Sequence, residues 1–167
     1  SKALSSGADY GEIFAERTPS GSLYMVNNQL EEISDSVKSG AGIRVMKGTR
    51  TVYGTTTDLS RQSLLALASQ VSEVLGQGSA PISIRLTQKA VVSRHPIERI
   101  SSEVPKSDRL EVLKRCYFAA KDADARIIQV KASLADVDRN ILIANSDGIY
   151  AQDRQVRTRM MIEAVSQ

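Results

Sequence analysis

Residue types that commonly carry catalysis are scarce in this chain. His95 is its only histidine and Cys116 its only cysteine. Neither stands in a HExxH or CxxC spacing, which are the arrangements that bring metal ligands together. A zinc site that activates water needs several nitrogen, oxygen or sulfur donors converging on one ion. We therefore predict neither a catalytic residue nor a metal-ligating residue in the sequence.

Other catalytic arrangements also lack support. His95 precedes a proline and is predicted to be a solvated loop residue, and Cys116 a small apolar residue on the inner face of a helix. Serines are plentiful, but no nucleophile-elbow motif supports a Ser-His-Asp triad. The Gly-Ala-Gly run at 40–42 precedes a strand pattern and does not open a helix, so it does not match a phosphate-binding loop.

Arginines on predicted strands are the residues best suited to binding. Arg157 and Arg159 are two residues apart, so their side chains share one face of a strand, and Arg154 lies just before them. Such a group could bind a phosphate, a peptide carboxylate or an acidic partner surface. Arg44, with Arg50 across a predicted hairpin, is interpreted in the same way. The alternative for both groups is a solvated strand face.

Composition is that of a soluble globular protein, with 41% hydrophobic and 25% charged residues. The 22 lysines and arginines are interleaved with 19 acidic residues, which argues against a nucleic-acid footprint. A single cysteine excludes an internal disulfide and fits a reducing compartment. No apolar run approaches the ~20 residues of a membrane span. We expect a cytoplasmic protein, and, since the chain lacks an initial Met and ends within an alternating run, a fragment of a longer one.

The first half of the chain is organised around residues 39–75, whose pattern predicts strand, turn at Lys47-Gly48, strand, and then a capped helix. Asp58 or Ser60 is the expected N-cap, and Gly76 the expected C-terminal stop. Leu64, Leu67, Ala68, Val71 and Leu75 form the apolar face of this helix. Shorter strands are predicted before it at 9–17, 22–26 and 30–37, with a turn at Pro19-Ser20-Gly21.

The second half predicts one helix followed by strands. The helix covers 106–122, with Leu110, Leu113, Tyr117 and Ala120 on one face. Strands follow at 127–136, 141–144 and 149–165, separated by turns at 138–140 and 145–148. The order of strands, helix, helix and strands predicts an α+β fold in which two main helices pack on antiparallel sheet meanders.

Between the halves lies a segment with little periodicity. Residues 77–105 are predicted to be a crossover or linker, with a short strand at 82–86. We therefore divide the chain into 1–76, 77–105 and 106–167. The pattern of residues alone leaves open whether the two halves form one domain or two.

Several short motifs occur in order across almost the whole chain. They are GADYGEI (7–13), ER (16–17), LEEI (30–33), GAGIRV (40–45), TTTDL (55–59) and NSDGIY (145–150). Taken together, these motifs resemble the amino-terminal domain of the TldD/PmbA (TldE) proteins, and this resemblance implies that the chain is one such domain, truncated before the catalytic domain. The later helix and strands look closer to the TldD branch than to the PmbA branch.

This resemblance implies a cytosolic zinc-dependent peptidase family linked to peptide maturation and proteolysis, historically named modulator of DNA gyrase. The family's HExxxH zinc motif lies in the part that follows this domain, so no catalytic or zinc residue can be transferred to these positions. The implied partners are a peptide substrate and a second subunit, either a homodimer or a heterodimer with a family paralogue. An extended peptide could add to an exposed strand edge near Gly40–Val45 or the last strand.

The leading hypothesis is thus a non-catalytic domain that shapes a substrate channel and a dimer. The alternative is a stand-alone module that binds a protein or nucleic acid through Arg154, Arg157 and Arg159. A small independent hydrolase has no motif to support it.

Overall fold

The computed structural model describes residues 2–76, 84–91 and 96–167. These residues form two compact units. The described part of the first unit consists of residues 2–17, 38–76, 84–91 and 140–154, and that of the second of residues 18–37, 96–139 and 155–167. His95, predicted to be a loop residue, lies outside the described residues.

The described elements are one six-stranded mixed sheet, two α-helices and two short 3-10 helices, which confirms the predicted α+β class. The sheet order is β3-β2-β1-β5-β6-β4. Strand β3 is antiparallel to β2, whereas β4 runs parallel to β6. The 3-10 helices are Lys2–Leu4 and Ser101–Glu103, and the other elements are β1 (Tyr10–Val26), β2 (Gln29–Lys47), β3 (Arg50–Thr56), α1 (Arg61–Leu75), β4 (Thr87–Ala90), α2 (Lys106–Lys121), β5 (Ile127–Asn145) and β6 (Ile149–Ser166).

Three strands, β1, β2 and β5, are much longer than predicted, whereas β6 covers almost the predicted range 149–165. The predicted turns at 19–21 and 138–140 are wrong, because β1 and β5 run through them. The predicted strands at 30–37 and from 43 onward are likewise one strand, β2. Local turn propensity is overridden here by pairing with neighbouring strands. The short strand predicted at 82–86 falls partly outside the described residues, and the described strand of this region is Thr87–Ala90.

Glycine conformation separates true turns from strand positions. Gly48 and Gly148 have positive φ and lie in the turns after β2 and β5, as predicted. Gly21 is inside a strand, where a Cβ atom would lie 3.0 Å from Asp35 Oδ1. Gly21 therefore marks close packing rather than a reversal of the chain.

The core of the first unit is formed by α1, which packs on β3 and shares a cluster of buried side chains with β2. Ser60 is the N-cap and accepts a hydrogen bond from Ser63 N, and Gly76 is the C-cap, as predicted. Burying each large apolar side chain in such a cluster stabilises the fold by about 1.5–3 kcal/mol. The predicted apolar face of α1 is confirmed, since Leu67, Ala68, Val71 and Leu75 are buried and Leu64 is half-buried. The other buried residues of this cluster are Leu4, Ala8, Ile43 and Val45.

The core of the second unit is formed by α2 against β1 and β5. Leu113 and Tyr117 are buried, with Leu110 and Ala120 half-buried beside them, which confirms the predicted helix face. The strand side chains packed with them are Leu23, Met25, Val130, Ala132 and Leu134. Cys116 is half-buried. No helix among the described residues is long and apolar enough to span a membrane.

Candidate functional site

The candidate site is a pocket of about 610 Å³ in the first unit. It lies on the face of the hairpin opposite α1. A Cβ atom on Gly54 would lie 2.7 Å from Leu67 of α1, and strand alternation directs Tyr53 and Thr55 to the other face. We call it the open-face pocket, and it is lined by Phe14, Glu16, Lys38, Ser39, Gly40, Ala41, Gly42, Tyr53, Thr55, Thr56 and Thr57.

Tyr53 and Gly42 shape this pocket together. Tyr53 is 62% exposed, yet its phenol lies directly over Gly42. A Cβ atom at Gly42 would lie 2.2 Å from the Tyr53 hydroxyl oxygen. Gly42 is therefore needed for this position of the ring, which gives the pocket an aromatic wall. An aromatic ring with a polar tip suits contact with a mixed apolar and polar ligand.

A polar network also belongs to the first unit. Arg44 Nη2 donates to Glu12 Oε1 at 3.0 Å, and the Tyr10 hydroxyl donates to Glu12 Oε2 at 2.9 Å. Asn145 Nδ2 in turn donates to the Tyr10 hydroxyl at 3.3 Å. Burial, followed by the hydrogen bond to Glu12, raises the pKa of Tyr10. Glu12 thus holds both Arg44 and the phenol, and it fixes the direction of the guanidinium group.

The predicted arginine pair of the hairpin does not assemble. Arg44 lies opposite Tyr53, and Arg50 lies opposite Lys47. By strand alternation Arg44 and Arg50 face opposite sides of the sheet. Arg50 Nη2 donates to the carbonyl oxygen of Val74, near the end of α1, at 3.4 Å. Arg50 therefore serves the packing of α1, while Arg44 remains 46% exposed.

The three arginines of the last strand are divided between the two units. Arg154 belongs to the first unit, where it lines a second pocket of about 440 Å³ together with Arg17 and Asp153. Arg157 and Arg159 belong to the second unit and are exposed. Arg159 Nη2 lies 3.8 Å from Met161 Sδ. Arg157 and Arg159 share a face, as predicted from their spacing, and Arg154 has the opposite strand parity.

The second unit contains a polar cluster that the sequence pattern did not predict. Arg109 Nη1 donates to Asp136 Oδ2, and Thr158 Oγ1 donates to Asp136 Oδ1, both at 2.7 Å. Asp138, predicted to lie in a turn, is buried in β5 instead. The even-numbered alternation of Val130, Ala132 and Leu134 continues through both aspartates. That continuation was the signal available in the sequence.

The described residues do not offer a set of metal ligands. No group of three or more His, Cys, Asp or Glu side chains among them could hold a metal ion. The carboxylate of Asp136 is occupied by Arg109 and Thr158, as described above. The donor chemistry of the described part therefore does not fit a zinc centre.

Several solved structures share the fold of this chain. A candidate modulator of a DNA gyrase from Thermotoga maritima has a TM-score of 0.76 at 16% identity, over 95% of this chain and 36% of that chain. A second candidate modulator of DNA gyrase, from Bacteroides thetaiotaomicron, has a TM-score of 0.74 at 14% identity, over 99% of this chain and 39% of the other. TldE from Thermococcus kodakarensis has a TM-score of 0.62 at 15% identity, over 96% of this chain and 37% of that chain.

Family models then identify the family. The model for PmbA/TldA metallopeptidase domain 1 matches residues 11–75, and the model for the central domain of the same metallopeptidases matches residues 99–167. The chain therefore belongs to the PmbA/TldD family, and the predicted resemblance is confirmed. Its assignment to the TldD branch stays a prediction.

Curated relatives carry consistent names. The Metalloprotease TldD homolog of Buchnera aphidicola is 25% identical over 149 residues, covering 87% of this chain and 30% of the relative. The TldD homolog of Haemophilus influenzae is 23% identical over 94% of this chain and 33% of the relative. A metalloprotease of Methanothermobacter thermautotrophicus is 24% identical over 95% of this chain and 34% of the relative. This chain spans about a third of the length of these relatives.

Proposed function

We propose that this chain is the amino-terminal, non-catalytic part of a cytoplasmic, TldD-like zinc metallopeptidase. In this role it shapes the substrate channel and takes part in forming the dimer. The observation that carries the proposal is the match to domain 1 and the central domain of the family, over about a third of the length of the relatives.

Zinc and the reacting groups are assigned to the part of the protein that follows these domains. This assignment agrees with the donor set of the described residues, which does not fit zinc. The chain then contributes surfaces rather than chemistry. The ligand would be a peptide, and the partner either a second copy or a family paralogue.

The exposed arginines are the residues proposed to contact substrate or partner. Arg44 lies on β2, the strand that also carries Gly42 of the open-face pocket, and its guanidinium is held by Glu12 of β1. Arg44 could therefore receive a peptide carboxylate. Arg154 lines the second pocket of the same unit. Arg157 and Arg159 would meet acidic groups of a partner.

A comparison of the isolated chain with the longer protein tests the proposal. Zinc binding is measured by calorimetry, and hydrolysis with a fluorogenic peptide. We expect the longer protein to bind zinc and to cleave the peptide, and the 167-residue chain to do neither. Appreciable turnover by the chain alone would refute the proposal.

A further inference from the structure

Strand β3 is an edge strand in the described sheet, with β2 as its one neighbour. Lys47 and Arg50 flank the two-residue turn, so they form the hydrogen-bonded closing pair of the hairpin. Alternate residues of an antiparallel strand direct their N–H and C=O groups away from the partner strand. Thr51, Tyr53 and Thr55 therefore present their backbone groups at the outer edge of β3.

This edge lacks the features that usually prevent further pairing. Edge strands are commonly protected by charged residues, proline, bulges or very short length. The one charged residue of β3 is Arg50, at its start, and its guanidinium is engaged with Val74 O. The other edge strand, β4, has only four residues and includes Lys89.

The open-face pocket lies beside the outward-facing residues of β3. Tyr53 and Thr55 line it, and Gly40 and Gly42 contribute no side chains to its floor. A strand added to β3 would lie about 4.8 Å further out. A side chain of that strand on the open face would be next to Tyr53 and could enter the pocket.

We propose that the free edge of β3 binds an extended peptide as an additional strand, with one apolar or aromatic side chain in the open-face pocket. The backbone groups of Thr51, Tyr53 and Thr55 would supply affinity, and the pocket would supply selectivity. The inference rests on the proposed function in one respect, namely that the ligand is a peptide.

A second copy of the chain fits this edge less well. Antiparallel pairing of two β3 strands about their centres would place Tyr53 opposite Tyr53. Each tyrosine already lies over the Gly42 of its own chain, so neither could enter the other pocket. A separate peptide has no such restriction.

The test uses a fluorescent octapeptide of alternating Thr and Val with one central Phe, and the 167-residue chain without zinc. Two further peptides are N-methylated at alternate backbone amides, one on the edge facing β3 and one on the opposite edge. We expect binding of the parent peptide, loss of at least tenfold in affinity for one N-methylated peptide, and little change for the other. Bound peptide should also slow amide exchange at Thr51, Tyr53 and Thr55.

Protein variants test the same contact. Tyr53→Lys removes the aromatic wall and places a charge on the edge, so we expect affinity to fall about tenfold. Tyr53→Phe should keep affinity within about twofold, since it retains the ring. Tyr24→Lys, at an exposed tyrosine on the interior strand β1, is the matched control and should not change affinity.

The outcomes separate this inference from the proposed function. Strand addition at β3 would be overturned if both N-methylated peptides bound as tightly as the parent peptide. It would also be overturned if the parent peptide did not bind at millimolar concentration. Self-association of the chain that Tyr53→Lys abolishes would identify a second copy as the occupant and would also overturn it. In either case peptide cleavage by the longer protein would leave the proposed function standing.

Discussion

Arg109 on α2 and Asp136 on β5 form a buried ion pair in the second unit. Arg109 Nη1 lies 2.7 Å from Asp136 Oδ2, and the two side chains are 13% and 6% exposed. Thr158 of β6 donates to the other oxygen of the same carboxylate. One carboxylate thereby joins a helix to two strands, and fixes how α2 is placed over them.

Removing one member of this pair should be costly. We expect Asp136→Ala to lower the free energy of unfolding by about 3–5 kcal/mol, because the guanidinium is left buried without its counter-charge. The double variant Arg109→Leu with Asp136→Leu should recover most of that loss, since no buried charge remains. Urea unfolding of both variants checks this, and equal destabilisation by the two would contradict it.

Two glycine substitutions in the hairpin should differ in effect. A Cβ atom at Gly54 would lie 2.7 Å from Leu67 Cδ1 and 2.9 Å from Val71 Cγ1, both in the core. Gly54→Ala should therefore destabilise the protein by about 1–3 kcal/mol through overpacking. The three atoms nearest to a Cβ at Gly42 all belong to the exposed ring of Tyr53, which can rotate away, so Gly42→Ala should cost less stability.

The control for this comparison is Gly42→Ala combined with Tyr53→Ala. If Gly42→Ala lowers stability because the new methyl group meets the Tyr53 ring, this loss of stability should be smaller in a protein that already carries Tyr53→Ala. Thermal unfolding measures each step. A greater loss for Gly42→Ala than for Gly54→Ala would show that α1 is not packed on β3 as described.

The start of α1 should make stability depend on acid pH. Hydrogen bonds from the Ser63 hydroxyl, and then from Ser60, lower the pKa of Asp58. A carboxyl with a lowered folded-state pKa stabilises the protein above its unfolded pKa, and this contribution is lost as pH falls through the folded value. The free energy of unfolding, measured from pH 6 to pH 2, should show this loss. Asp58→Ala should reduce the slope of the free energy of unfolding against pH.

Two variants complete that measurement. Ser60→Ala removes the N-cap hydroxyl and should lower the free energy of unfolding by about 1 kcal/mol. Glu73→Ala, at an exposed position of the same helix, reports the general effect of removing a carboxylate. An unchanged slope in Asp58→Ala would exclude this aspartate as the source.

The alternative of nucleic-acid binding through Arg157 and Arg159 is tested by DNA titration at several salt concentrations. The exposed strand that carries them also carries Glu163, which pairs with Lys131, and such mixed charge is a poor phosphate track. We therefore expect no salt-dependent binding near physiological ionic strength. Affinity that falls steeply with salt, and is lost in Arg157→Glu with Arg159→Glu, would establish the alternative instead.

The sequence predicted what depends on local periodicity and capping. The two helix faces followed from the spacing of residues such as Leu67, Val71, Leu113 and Tyr117. Ser60 was one of two expected N-caps, and the turns at Gly48 and Gly148 followed from residue type. These features are decided by neighbours in the sequence, so a single chain reveals them.

Features decided by distant contacts were not predicted. Gly21 indicated a turn by type, but close packing with Asp35 from another strand explains it. Asp136 and Asp138 look like solvated residues near a turn until the helix that carries Arg109 is placed over β5. The position of Tyr53 over Gly42 likewise depends on the register between β2 and β3.

The length of the strands has a consequence for how the protein folds. Each compact unit is assembled from three separate stretches of sequence, so neither can be complete when only half of the chain has emerged from the ribosome. Ser146 N donates to the carbonyl oxygen of Gly11 at 2.8 Å, and this bond joins residues near the two ends of the chain. Such high contact order slows folding. Refolding should therefore be slow, and a cut in any one of the four long strands should impair both units together.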